Sequence, residues 1–439
     1  MLETDARQLL LEALRPPPEF DLDRAIGTTF SLDVDALLFV PLAFTLFQVQ
    51  DTDGVLAKDP LALIEALRRY AGKTSIFCQA GQIGVPPSGQ PLLAHLEDVV
   101  VPVTAPIAGG LFHPKVWILR FVPLNQSAEI RYRLLVMSRN LTMSNAWDIM
   151  ISLDGLLTNR SRAIARNHPL GDFVAALPAM ARQVPERIRS DVDLIADEIR
   201  RVRFEPPTGV DDIAFWALGL TRQRVNPFEG RMDRKLVVSP FIGPQWLSAF
   251  LGKSAGNVVV SREEELRKIA PDLLASIGDC RYVGVPDPEP QIEGDTAAES
   301  PSAEMAGLHA KLYIGDTGWT TRAWLGSANA TDGAFHANVE FMVELRGKRS
   351  VMGVDAMVGS ETKGVGFGQL LRKFVPGPDQ GEADPDDELR RAAEELRVRV
   401  GRMRLGAKVT ASGDDDALFN LGACVRNGKW APSVVVQVG

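Results

Sequence analysis

H-A-K-L-Y-I-G-D, from His309 to Asp316, is followed by G-S-A-N from Gly326 to Asn329 and by N-V-E ending at Glu340. His309 and Lys311 stand two apart, as do Ser327 and Asn329. On β-strands each pair shares one face, while Leu308, Ala310, Leu312 and Ile314 turn to the other. The pattern predicts strands with one face for chemistry and one for a core.

The arrangement recurs earlier in the chain. H-P-K-V-W-I-L-R runs from His113 through Lys115 to Arg120, and V-M-S-R-N places Ser138 and Asn140 two apart. The chain has only five histidines in 439 residues. Two of them carrying a lysine two places on, and S-x-N one strand later, make a repeated unit rather than a coincidence.

The chemistry that such a set can perform follows from its residue types. Cleaving a phosphodiester needs an attacking group, a proton for the leaving oxygen and positive charge on the non-bridging oxygens. Two imidazoles divide the first two tasks, because histidine is the side chain that can be set neutral or protonated near neutrality. Lys115 and Lys311 suit the phosphoryl oxygens, with Asn140 and Asn329 as neutral donors and Ser138 and Ser327 in support. No metal or other cofactor is called for. His95, His168 and His336 lack such partners and read as structural.

The doubled motif resembles the phospholipase D superfamily, whose signature is H-x-K-x4-D followed by G-S-x-N and a later Glu. The second copy matches throughout, with His309, Lys311, Asp316, Gly326, Ser327, Asn329 and Glu340. The first departs from it: Arg120 stands in place of the Asp, Met137 in place of the Gly, and Asp148 is the nearest later acid. The resemblance spans roughly residues 30 to 350. It implies an α/β fold of two related halves with one shared active site, and a metal-independent phosphodiesterase working through a covalent phosphohistidine. By position in the family, His113 is the nucleophile and His309 the general acid. Glu340 is expected to orient one imidazole through its ring N–H, with Asp148 as a weaker counterpart for the other, and Asp316 to hold backbone rather than to react.

The rest of the chain sets the boundaries. Strand and helix alternate through both copies, so the domains are expected at 1–160 (first half with an N-terminal helix), 161–210 (helical connector) and 211–360 (second half). A linker at 361–385 and a C-terminal helix with a small β-rich module at 386–439 complete the chain. Residues 156 to 205 read as helical, with an arginine cluster at Arg200, Arg201 and Arg203 that reads as a solvated face, a strip tracking a phosphate backbone being the alternative. Gly109-Gly110 reads as a turn before the first histidine. The helix with Leu389, Ala393, Leu396, Val400 and Met403 at three- and four-residue steps is expected to pack on the small module, with a dimer seam or a nucleic-acid arm as the alternatives. Between Pro286 and Glu304 a Pro-rich loop carries six acidic residues and no basic one. It reads as a surface loop, with an autoinhibitory flap over the phosphate site as the alternative.

Composition narrows the setting. A net charge of -8 excludes a generally basic coat, although 48 Lys and Arg leave room for a local positive groove. Cys78, Cys280 and Cys424 have no metal or disulfide spacing, and a reducing cytoplasm fits them. The N-terminus lacks a secretion signal. The apolar run Ala36 to Phe47 is shorter than the ~18 residues of a spanning helix, and reads as a buried strand and turn, so no integral membrane association is expected.

Substrate class is left open by the residues. A nuclease is the leading expectation, with DNA ahead of RNA and a setting in anti-phage defence or restriction, where the C-terminal module would dock a protein partner. A phospholipid hydrolase or phosphatidyl transferase is the first alternative. A non-catalytic scaffold, suggested by Arg120 and Met137, is the second.

Overall fold

The computed structural model describes residues 10–45, 60–84, 91–125, 129–143, 146–252, 254, 256–284, 307–359, 366–377, 386–401, 404–411, 417–424 and 434–437. The acidic loop between Pro286 and Glu304 lies outside them. The chain divides into two compact units, one of residues 1–79 and 83–383, the other of residues 80–82 and 384–439.

The larger unit is α/β and holds two mixed sheets that share the order of six strands, the seventh coming last in the chain in the first sheet and first in the second. In the first, the parallel run Val100–Val103, Thr74–Gln79, Phe20–Thr29 continues into antiparallel Val116–Pro123, Arg131–Met137, Met150–Leu157 and Val202–Phe204. In the second, the parallel run Gly278–Val283, Asn257–Ser261, Arg234–Val238 continues into antiparallel Leu312–Thr317, Thr320–Gly326, Glu340–Lys348 and Val210–Leu218. The strand Leu371–Lys373 adds an outer edge to the second sheet.

Alternation along the strands builds three cores. Val116 and Ile118 of the first sheet meet Leu312 and Ile314 of the second in a central cluster that both sheets share. Trp117, Leu119 and Phe121 point the other way, into an outer core with the helix Val34–Thr45. Tyr313 likewise joins Trp246, Leu247 and Leu274 outside the second sheet. Each sheet is therefore buried on both faces, which is why its strands read as nearly continuous apolar runs.

Several expectations are corrected here. The run expected as strand and turn from Ala36 is helix from Val34 to Thr45, with Pro41 inside it; a continuous apolar stretch has no periodicity to separate helix from strand. The segment read as helical from 156 to 205 begins in a strand, contains the helices His168–Met180 and Glu186–Ile199, and ends in the edge strand Val202–Phe204. Pro271, which cannot donate inside a helix, separates the short helices Glu263–Arg267 and Pro271–Ile277. Gly110 does more than turn the chain: a side chain there would run into the Ala337 carbonyl of the other half. In the arginine cluster, Arg200 pairs with Asp172 at 2.9 Å and Arg201 with Asp197 at 2.6 Å.

The smaller unit contains the helix Asp386–Gly401 and an antiparallel sheet in the order Arg404–Ala411, Ala417–Cys424, Val434–Gln437. Leu389, Leu396 and Val400 are exposed on that helix, not packed as their spacing suggested. Among the described residues no helix is long and apolar enough to cross a membrane.

Candidate active site

Each histidine sits in a short extended stretch just ahead of a central strand, and that stretch pairs with the opposite half. Phe112 bridges Val339 and Trp147 bridges Leu308, both in parallel. His113 N donates to Val339 O at 2.9 Å, and Val339 N to Leu111 O at 2.8 Å. In the second half, His309 N and Ala310 N both donate to Trp147 O, at 2.8 and 2.9 Å. Pro114 occupies the position of Ala310 and has no N–H, so the first half makes one such bond where the second makes two.

Val339 precedes Glu340 and Trp147 precedes Asp148, so this backbone exchange aims each carboxylate at the other half's imidazole. His113 Nδ1 donates to Glu340 Oε2 at 2.9 Å. His309 Nδ1 lies 3.4 Å from Asp148 Oδ1 and also 3.4 Å from Lys311 Nζ. Asn338 steadies the first pairing, giving its Nδ2 to Glu340 Oε1 at 3.3 Å while its Oδ1 accepts from Leu111 N at 3.0 Å.

The two lysines are buried, 0% and 1% exposed for Lys115 and Lys311. Each Nζ donates to the carbonyl of its own histidine, Lys115 to His113 O at 2.7 Å and Lys311 to His309 O at 2.8 Å. Burial pulls the Lys311 ammonium down to about 7, against the attraction of Glu340 and Asp148. Burial likewise lowers Lys115 well below its ordinary value, with Glu340 opposing and Lys311 adding to the effect. Both imidazoles are pushed down to about 4, first by burial, and each feels both lysines. Burial alone would raise the Glu340 carboxyl, but His113, Lys115 and Ser327 together hold it below the usual carboxylate range. The mutual influence of Lys115, Lys311, Glu340 and Asp148 places both motifs in one electrostatic site.

The serines act as latches. Ile149 N donates to Ser138 Oγ at 3.0 Å and Phe341 N to Ser327 Oγ at 3.0 Å, in each half the residue just after the carboxylate. Ser327 Oγ also donates to Glu340 in a short hydrogen bond, while Ser138 Oγ lies 3.4 Å from Asp148 Oδ1. Asn140 and Asn329 behave alike: the Oδ1 position of each is buried with no hydrogen-bond partner among the described residues. Neither amide is fully spent on the scaffold.

Sequence reasoning missed the groups that hold these asparagines. Thr29 Oγ1 accepts from Leu141 N at 3.0 Å and donates to Ser31 O at 2.7 Å. Ser239 Oγ accepts from Ala330 N at 3.0 Å and donates to Phe241 O at 2.7 Å. Leu141 and Ala330 each follow the site asparagine, so one hydroxyl hooks each S-x-N turn from the C-terminal end of the innermost parallel strand of its sheet, Phe20–Thr29 or Arg234–Val238. The signal was a hydroxyl at that strand end, in T-F-S at 29–31 and S-P-F at 239–241. Gln79 is a further support, its Oε1 accepting from Phe112 N at 2.7 Å.

The departures in the first copy are scaffold differences. Asp316 accepts from Thr321 Oγ1 at 2.8 Å and Val354 N at 3.2 Å and pairs with Arg349 at 3.3 Å. Arg120 does the corresponding work with reversed charge, binding Glu198 and Asp23. A side chain at Gly326 would run into the Phe341 carbonyl, whereas Met137 is accommodated in the first half and 5% exposed.

No family model matches the sequence, and no curated protein matches it. Among solved structures the chain is similar to yeast tyrosyl-DNA phosphodiesterase in two mutant crystal structures. These are 13% and 12% identical, with TM-scores of 0.43 and 0.42, and cover 76% of this chain and 84% of the other. It is similar also to polyphosphate kinase from Porphyromonas gingivalis, at 11% identity and a TM-score of 0.38 over 76% of this chain and 42% of that one. With an H-x-K stretch, an S-x-N turn and a carboxylate supplied once by each of two like-ordered sheets, the chain resembles the phospholipase D superfamily in both of its halves.

Proposed function

We propose that this chain is a phosphodiesterase that cleaves nucleic acid, DNA ahead of RNA, through a phosphohistidine. The observation that carries the reading is the reciprocal exchange, His113 with Glu340 and His309 with Asp148, which draws two imidazoles and two buried lysines into one site. The sites are His113, Lys115, Asn140, His309, Lys311 and Asn329, with Ser138, Asp148, Ser327 and Glu340 in support.

The two histidines differ in a way that suits different tasks. Glu340 holds the His113 Nδ1–H and leaves the Nε2 lone pair free to attack phosphorus. His309 Nδ1 is shared between Asp148 and Lys311 at equal distance, so no single partner fixes its proton. In the first step an N–P bond forms at His113 Nε2 as the P–O bond to the leaving group breaks, and protonated His309 gives its proton to that oxygen. In the second, neutral His309 takes a proton from water, whose oxygen bonds to phosphorus as the N–P bond breaks. Lys115 and Lys311 neutralise the non-bridging oxygens, and an anionic phosphoryl group favours their charged forms.

Incubating the purified chain with labelled DNA, labelled RNA and phospholipid vesicles, each in chelator, tests the assignment. Cleavage of nucleic acid, with label trapped on His113 after an acid or denaturant quench, is the expected result. Turnover of the vesicles alone moves the chain to the lipid-active class, and no turnover of any substrate supports the scaffold alternative. A setting in restriction or anti-phage defence is part of the same proposal, checked by phage plating on cells carrying the wild type or His309→Ala.

A further inference from the structure

The second half presents an aromatic and a cation together at the edge of the phosphate site. Phe241 is 42% exposed, and the Arg262 guanidinium lies 4.9 Å from its ring centroid. Arg262 is tethered, its Nε donating at 3.0 Å to Leu308 O, the carbonyl just ahead of His309. Phe241 is tethered as well: its carbonyl takes the hydrogen bond of Ser239, the hydroxyl that hooks the turn after Asn329. The pair therefore flanks both pieces of the second motif, and the Arg262 charge bears on Lys311.

One exposed phenyl ring means little by itself. What distinguishes this one is a guanidinium beside it that has no carboxylate partner among the described residues. Glu263 is engaged by Arg267 at 2.5 Å and Glu265 by Lys268 at 3.0 Å, and among the described residues no acid lies within ion-pair reach of Arg262. A free cation next to a phosphodiester site takes the next phosphate along a chain, and an open aromatic face takes a base. A lipid headgroup offers the phosphate but no flat π surface, and a paired base keeps its faces stacked within the duplex.

We propose that Phe241 and Arg262 bind one unpaired nucleotide of a single-stranded nucleic acid, the base on the phenyl ring and the flanking phosphate at the guanidinium. This rests on the phosphodiesterase reading and narrows its substrate to single strands.

The test uses the full chain with His113→Ala, which leaves the substrate uncut, and fluorescence anisotropy with short labelled single-stranded DNA, single-stranded RNA and the same DNA as duplex. Phe241→Leu is expected to weaken single-strand binding roughly tenfold, with Phe241→Trp restoring it. Arg262→Gln should weaken binding and flatten its dependence on salt by about one ion. Single-strand binding untouched by Phe241→Leu, or weakened no more than duplex binding, overturns the subsite. Turnover of bis(p-nitrophenyl) phosphate by the wild type is measured alongside. That compound has no base to stack, so its failure to react counts against the phosphodiesterase reading while the binding arm still judges Phe241 and Arg262.

Discussion

Arg120 holds Glu198 through two hydrogen bonds, Nε to Oε2 at 2.8 Å and Nη2 to Oε1 at 3.0 Å, at the strand position where the second half has Asp316 bound to Arg349. The same brace between a central strand and a later helix is built with opposite polarity in the two halves. Arg120 thus departs from the motif without touching the chemistry.

Removing Arg120 leaves the buried Glu198 carboxylate with the Tyr132 hydroxyl but without its cation. Arg120→Ala should cost about 3 kcal/mol of stability, read as a fall in urea midpoint. The charge swap Arg120→Glu with Glu198→Arg should recover part of it. A single substitution that leaves the midpoint in place contradicts the bracing role.

Glu340→Gln keeps the hydrogen bond to His113 in shape but removes the charge that fixes its tautomer. A loss of roughly a hundredfold or more in kcat is expected, with KM little changed. Asp148→Asn should cost less, since its contact with His309 is longer. The reverse ranking under steady-state kinetics would exchange the roles given to the two histidines.

Activity should favour the acid side. Lys311 is cationic below about 7 and loses its hold on phosphate as pH rises through that value. The protonated fraction of His309 grows as pH falls toward about 4. Both slopes run the same way, so kcat/KM should climb from about pH 8 to about pH 5. Stability runs against it: the buried neutral imidazoles contribute fully above 6.5, and that contribution is lost as pH falls toward 4. A rate maximum above neutrality would refute the lysine's role.

Lys311→Met should abolish turnover and raise the melting point. The ammonium is desolvated at neutral pH, and its carboxylate neighbours keep other partners: Glu340 has His113 and Ser327, and Asp148 has Ser138 and Arg139. Replacing it with an apolar side chain of similar length is expected to stabilise by about 1 kcal/mol. Calorimetry showing a lower melting point would mean that the charge is structural.

Ser239→Ala releases Ala330 N and loosens the turn carrying Asn329, and Thr29→Val does the same for Asn140. Each should lower kcat several-fold and be only weakly additive with alanine at its own asparagine, measured as a double-mutant cycle. Full additivity would mean that the hooks do not act through the asparagines.

The repeated H-x-K and S-x-N spacings made the doubled α/β fold legible in the sequence, and the side chains that they single out are brought together in the structure. Three kinds of feature were not legible. Which carboxylate serves which histidine depends on bridges between Phe112 and Val339 and between Trp147 and Leu308, pairings with no trace in local spacing. Thr29 and Ser239 act on residues far along the chain, and a hydroxyl at a strand end carries no mark of its target. The helix at Val34–Thr45 carries apolar side chains on nearly every side, exposed Phe39 among them, so no periodicity was left to name it.

The crossing of carboxylates makes the duplication irreversible. A half expressed by itself would carry a histidine, a lysine and an asparagine, yet its imidazole would face no acid, because that acid was left in its sister. Neither half can drift, shorten or be exchanged without disarming the other. Two separately produced halves should accordingly be inert alone and regain turnover only when mixed and refolded together.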